Sequence, residues 1–542
     1  MSKKPSRRDI LKLLGAGAAV ASSPMELFLD QLVPSLIERA SATETEALAN
    51  KYILVQQFGA PPRWMYDLFL SPYGNNPMAN IMANGSVASE LTGGARYTGA
   101  AYKTHKVKGI NAPVIWKSNV ADGSGAPRPI SDLMDNMLVL QGIDALNPGH
   151  APAAALMNRP LTQYSIDGIL ADQAGLPFGG IGLGSTSLDF KSPKGKNAKL
   201  YSGGQDMAAL LPEAFAAGVG NLHKEYSKEI DGAVEKLNRG IAGVKLGSGS
   251  LSLDQAGARK LMEGEVAKIA AAYPVLLAKY EKIISETVKM SQGLEGLSDK
   301  PVGKTGDRTG DLNYRESSGD RIVTDADMRD TIKTANIPNL AKEFAVAEYV
   351  ITNNLTSSVS IGVGSLRVNF NGAARTVTKD QHRTGVLNSV FYTTLFYRIN
   401  SACILGLIEG LKTTAYKGSN MFDHTVIRQS NEFGRYPRTD GTGSDHSPWS
   451  SNCMLLSGMI KGPIIAGQIL KDGASIGRRP GSWGAAGNLK HGPTATTGHV
   501  ISSIATMLGV ETPSVNNPSL VVKNDKGEVE LNSGYIDKTE VV

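Results

Sequence analysis

Apolar residues along this chain follow two rhythms. Short, leucine- and β-branched-rich runs at 52–58, 137–141, 357–363 and 424–430 each lead to a break or a polar turn, which predicts buried strands. Other stretches repeat every 3.6 residues. Residues 339–355 put Leu340, Phe344, Ala347, Ile351 and Leu355 on one face, and 386–412 do the same with Val390, Phe391, Leu395, Ile399, Cys403 and Leu407. Strands that read as continuous apolar runs, interleaved with helices, predict an α/β fold: a mostly parallel sheet with helices on both faces. Residues 207–292 are almost wholly helical in pattern, with amphipathic stretches at 221–239 and 254–292 around a Gly/Ser turn at 247–250. This predicts a helical insertion, a cap or lid. Residues 298–321 are polar and Gly-rich and read as a surface loop; Gly303-Lys304-Thr305-Gly306 lacks the strand and glycine spacing of a phosphate loop. A last helix at 500–508 and a hairpin at 520–531, turning on Asp525-Lys526-Gly527, close the chain.

Length and charge refine this picture. The chain has 542 residues, 60 of them Gly and 26 Pro, and is 41% hydrophobic, which excludes a disordered, collagen-like or coiled-coil protein. The net charge of +6 is small for this length and shows no basic stripe, so no nucleic-acid partner is expected. Part of the excess belongs to the N-terminus. Ser6-Arg7-Arg8-Asp9-Ile10-Leu11-Lys12 precedes a weakly hydrophobic Gly/Ala run, and Ala40-Ser41-Ala42 offers a small-residue cleavage site. This reads as a twin-arginine signal over 1–42, which makes the twin-arginine translocase a partner during export and the periplasm or exterior the destination. The apolar run is shorter than the roughly 18–20 residues that span a membrane, so no transmembrane anchor is expected after cleavage. A single domain over 43–542 remains. Cys403 lies within the long apolar helix and reads as a small buried hydrophobe, not as half of a bridge to Cys453.

In open α/β sheets, ligands bind beyond the carboxyl ends of the strands. The residues just past the predicted strands are His150, in Asn147-Pro148-Gly149-His150; Asp380 and His382; and Glu432 and Arg435, followed by Asp445 and His446. Asp380, His382, Glu432, Asp445 and His446 form an oxygen and nitrogen donor set without thiolate, suited to one or two ions of Zn, Mn or Fe. Each has a plainer reading as well: a helix cap for Asp380, a turn for Asp445 and His446, an ion pair with Arg435 for Glu432. Arg435 and Arg438 are placed to contact an anionic ester. Ser165 and Thr162 read as turn or cap residues, and His424 and His499 as structural.

At these residues the chain resembles a known group. The stretch 432–468, with Glu432-Phe433-Gly434-Arg435 and Asp445-His446, resembles the C-terminal signature of the family called domain of unknown function 1501. The stretch 130–175 is similar to the sister family 1552. Both resemblances imply an alkaline phosphatase- and sulfatase-like fold. They imply metal ligation by Glu432, by Asp380 and His382 in a motif similar to D-T-H, and by Asp445 and His446. His150 falls where the sulfatase nucleophile turn would place its nucleophile. The first strand departs from this pattern, because Gln56-Gln57-Phe58-Gly59 stands where a metal-binding Asp belongs and the nearest carboxylate is Asp67. Two readings follow. One is an exported metal-dependent hydrolase of phosphate or sulfate esters, on sugars or envelope polymers, with His150 and Arg435 as catalytic residues. The other is a non-catalytic exported binding or envelope-assembly protein with a vestigial site.

Overall fold

The computed structural model describes residues 49–63, 66–67, 104–174, 178–184, 189–201, 255–292, 330–382, 386–437, 444–469 and 495–536, apart from single positions inside these ranges and a few short pieces between them. The predicted signal at 1–42, the loop at 298–321, most of 221–239 and Arg438 lie outside the described residues.

All four predicted strands are present, with no bound shifted by more than two residues: β1 Lys51–Gln56, β2 Met137–Ile143, β5 Ser358–Gly362 and β6 Thr425–Ser430. Four more complete the sheet: β3 Gly180–Gly184, β4 Ala198–Tyr201, β7 Ser451–Leu456 and β8 Ile464–Ala466. The eight strands run in the order β8-β2-β7-β6-β1-β5-β3-β4. Only β7 is reversed, antiparallel to both β6 and β2; the other pairings are parallel. The reversal follows from connectivity. After β6 the chain stays at the strand ends as a hairpin, Gly434–Pro437 against Ser444–Ser447, so it re-enters the sheet from that side and must run back.

Side-chain alternation divides β1 between two cores. Ile53 and Val55 face a cluster built with α4, Leu340–Thr352, and α5, Val386–Thr413; Tyr52 and Leu54 face one built with α1, His150–Asn158, α2, Ile166–Gln173, and α6, Thr497–Leu508. Each aliphatic side chain buried in this way contributes roughly 1.5–3 kcal/mol. The segment Phe391–Thr413 of α5 is long and apolar enough to cross a membrane, yet it is wholly buried as the central helix of its layer. Ser165 caps α2 through the Gly168 N–H, and Thr496 with His499 forms a reciprocal cap on α6, so these hydroxyl and imidazole groups are structural.

The main described part of the predicted insertion is α3, Gln255–Ser291, preceded by a short antiparallel pair, Lys245–Leu246 with Gly249–Ser250. Its C-terminal half belongs to the helical layer. Tyr280, Ile283 and Val288 are buried in the core that also holds Ile53 and Phe344, and Tyr280 Oη and Lys279 Nζ both donate to the buried Glu348 carboxylate of α4. Cys403 and Cys453 are both buried free thiols, as the apolar context of Cys403 predicts.

One buried carboxyl makes stability depend on pH. Glu343, in the first turn of α4, occupies the space that Gly184 leaves open; a Cβ on Gly184 would also come within 2.6 Å of the Gly362 carbonyl. Burial pushes the Glu343 carboxyl up to about 8, with the Lys379 ammonium opposing only in part. In the unfolded chain a glutamate ionises near pH ~4.3. Between these values the folded state holds the extra proton, so this group's contribution is lost as pH rises toward 8. Glu343→Gln removes that slope. Relative to wild type, the variant is expected to gain roughly 3–4 kcal/mol between pH 5 and pH 8 in urea unfolding; an equal difference at the two pH values would contradict this.

Candidate metal centre

Because β1, β2, β5 and β6 run parallel, the segments after them meet at one edge of the sheet. Each delivers part of one cluster. Gly59 follows β1, His150 opens α1 after β2, Asp380 and His382 follow the hairpin beyond β5, and Glu432 follows β6 directly. Arg435 and His446 are paired across the hairpin before β7, and Asp445 stands opposite Tyr436.

The three imidazoles are oriented by the same device. His446 Nδ1 lies 2.7 Å from the Pro148 carbonyl oxygen, His150 Nδ1 lies 2.5 Å from Glu432 Oε1, and His382 Nδ1 lies 3.2 Å from Asp445 Oδ1. A carbonyl or carboxylate oxygen only accepts, so each Nδ1 carries the proton and each Nε2 is left to face inward. The Nε2 atoms gather around Asp380: His150 at 3.4 Å from Oδ2, His382 at 3.3 Å and His446 at 3.5 Å from Oδ1. His382 Nε2 and His446 Nε2 are 2.8 Å apart. Two lone pairs at that distance repel unless a proton or a cation lies between them. His150 Nε2 is buried, and its polar neighbour there is Asp380 Oδ2 at 3.4 Å, too long for a well-formed hydrogen bond. Phe433, fully buried, packs its ring 4.8 Å from that of His150 and 4.2 Å from that of His446, which limits the rotation of both.

One donor atom each from His150, Asp380 and His446 lie within 4.8 Å of one another, a group able to hold a metal ion. His382 adjoins it through the contacts above. The inward-facing Nε2 of His150, the fixed tautomers and the nitrogen and oxygen donors all fit a divalent cation.

Residues 403–482 match the family model described as a protein of unknown function, DUF1501. No curated protein and no solved structure matches the chain. The DUF1501 match spans the second half of α5, β6, the hairpin, β7 and β8, and so contains Glu432, Arg435, Asp445 and His446 but not His150, Asp380 or His382.

The structure brings together His150, Asp380, His382, Glu432, Arg435, Asp445 and His446 and changes what several of them do. Arg435 does not face outward toward an ester: its side chain is fully buried, its Nη2 pairs with Asp380 Oδ1 and reaches the Gly59 carbonyl at 3.3 Å, and its Nε donates to the Ala60 carbonyl at 2.5 Å. Glu432 pairs with His150 and with the Gly59 N–H. Asp380 pairs with Arg435, the described part of α5 begins at Val386, and Asp445 and His446 lie in a strand. Asp67 is no substitute for the missing first-strand ligand, because it is buried in a bidentate pair with Arg63.

The electrostatics follow the contacts. Burial alone would raise the Asp380 carboxyl, but the His150 and His446 imidazoles beside it, together with the Arg435 guanidinium, hold it well below the usual carboxylate range. His150, flanked by Asp380 and Glu432, is pushed up to about 9. His382 moves the other way: burial and the nearby Arg435 charge lower it. Sequence reasoning did not anticipate the Gly59 N–H, the Ala60 carbonyl or the Pro148 carbonyl. All three lie in the glycine and proline turns after β1 and β2, and all are backbone groups that carry no side-chain signal.

Proposed function

We propose that the protein is an exported hydrolase of anionic esters, phosphate or sulfate, whose site takes one divalent ion, zinc, manganese or iron, on His150, His382, His446 and Asp380. The observation that carries this reading is the 2.8 Å approach of two Nε2 atoms whose Nδ1 protons are already committed. A bound ion supplies Lewis acidity to an ester oxygen and to water. The chain's own residues hold that position: Asp445 orients His382, Pro148 orients His446, and Arg435 fixes the Asp380 carboxylate while offsetting its charge. His150 stands where the resemblance puts a nucleophile, but with Nδ1 bound to Glu432 and Nε2 facing Asp380 it serves the donor set. The matching fold reading is an alkaline phosphatase-like domain over 43–542, supported by the placement of the cluster at the carboxyl ends of parallel strands and by the DUF1501 match, with similarity to the sister family 1552 over 130–175.

The protein recovered from the periplasm should hydrolyse an aryl phosphate or an aryl sulfate, lose the activity on chelation, and regain it with zinc, manganese or iron. Retention of the Arg7→Lys, Arg8→Lys precursor in the cytoplasm should accompany this. Activity indifferent to chelation would defeat the metal-dependent reading. The second reading, a non-catalytic exported binding protein, is favoured by one observation: Arg435 spends its donors on Asp380 and the β1 loop. Metal binding without turnover of either ester would select it.

A further inference from the structure

Glu432 offers a carboxylate at the site, and the simplest assignment makes it a ligand. Its contacts assign it elsewhere. The side chain is fully buried, and Oε1 accepts both the His150 Nδ1–H at 2.5 Å and the Gly59 N–H at 2.6 Å, while Oε2 is buried without a hydrogen-bond partner. Gly59 has φ 103, and a Cβ there would come within 2.9 Å of Lys379 Cβ, so only glycine brings this N–H to the carboxylate. The Gly59 and Ala60 carbonyls then accept from Arg435, which grips Asp380, and Asp380 Oδ2 stands 3.4 Å from His150 Nε2. The contacts close a ring: His150, Glu432, the β1 loop, Arg435, Asp380 and back to His150. Two donors of the site, His150 and Asp380, are thereby held by the same turn at Gly59 and Ala60. Glu432 also lies outside the group of donor atoms that gather within 4.8 Å of one another.

We propose that Glu432 is a positioning residue, resting on the metal reading above: it acts on the ion only through His150, fixing that imidazole's tautomer and direction and tying it to the turn that fixes Asp380. Partners of this kind behind a metal-bound imidazole are worth about 10–100-fold in affinity. Glu432→Gln keeps an acceptor oxygen of the same reach but removes the charge.

The test uses zinc and the full chain, with affinity measured by competition against a chelator. Glu432→Gln is expected to bind one zinc about 10–100-fold more weakly than wild type, with its melting temperature showing an intact fold. A crystal structure of zinc-loaded wild type should place both Glu432 oxygens outside the first coordination shell. An affinity within twofold of wild type would overturn the positioning role, as would a Glu432 oxygen at the roughly 2.0–2.2 Å of a direct zinc–carboxylate bond. The crystal structure decides the matter even where the variant fails to fold. Failure of wild type itself to bind zinc, manganese or iron would overturn the metal reading and this role together; unchanged binding by the variant would overturn this role alone.

Discussion

His446→Ala is expected to weaken metal binding by at least about 100-fold, beyond the range of a supporting residue, because it removes one of four donors. The fold should survive. The Nδ1 bond to the Pro148 carbonyl lies on the exposed side, where water can replace it, and the imidazole is itself partly exposed. The cost to stability is therefore of the order of 1 kcal/mol, from that hydrogen bond and the lost contact with Phe433. Loss of affinity with little change in melting temperature separates a donor from a packing residue. A variant that binds as tightly as wild type would remove His446 from the site.

Arg435→Leu should show the opposite profile, with a large loss of stability as well as of metal. The guanidinium is buried and satisfies Asp380 and the Ala60 and Gly59 carbonyls at once. Leucine leaves these acceptors without their donor, and breaking a buried pair by removing one partner costs about 3–5 kcal/mol. Asp380 is 41% exposed, so water recovers part of its share, and the expected loss in urea unfolding is about 2–4 kcal/mol. A loss below about 1 kcal/mol would show that the β1 loop is held by other means, such as the Asn431 Nδ2 and Tyr397 hydroxyl bonds to the Pro61 carbonyl.

These effects follow from an arrangement that was partly visible in the chain. The apolar runs that became β1, β2, β5 and β6 stand out because central parallel strands are covered on both faces, and such strands read as continuous hydrophobic runs. The strands less visible in the sequence lack that pattern. Gly180–Gly184 is three-fifths glycine, Ser451–Leu456 opens with two polar residues, and Ile464–Ala466 is three residues long. The reversal of β7 depends on where the preceding hairpin turns in space, which no local pattern encodes. The α3 stretch reads as a detached insertion because its outward face is charged; the buried Tyr280–Glu348 bond that secures it joins residues far apart in sequence.

The site follows the same logic. Convergence was legible, since His150, Asp380, His382, Glu432 and His446 each follow a strand of the same sense. Division of labour was not. A carboxylate that ligates and one that supports an imidazole look alike in sequence, so Glu432 and Asp445 are told apart from Asp380 only by what their oxygens touch. Arg435 has the composition of an anion-binding residue and the contacts of a structural one. The difference is burial, which the hairpin and the β1 loop impose on it together.

The central claim is that three imidazoles and one aspartate hold a single divalent ion. Elemental analysis of the folded full chain, wild type beside His446→Ala, after equilibration with zinc, manganese and iron and removal of free metal, tests it most directly. The account predicts close to one equivalent per wild-type chain and loss of most of it in the variant. A wild-type content below roughly a tenth of an equivalent, or equal contents in the two proteins, would contradict it, and would leave a shared proton to explain the 2.8 Å contact between His382 and His446.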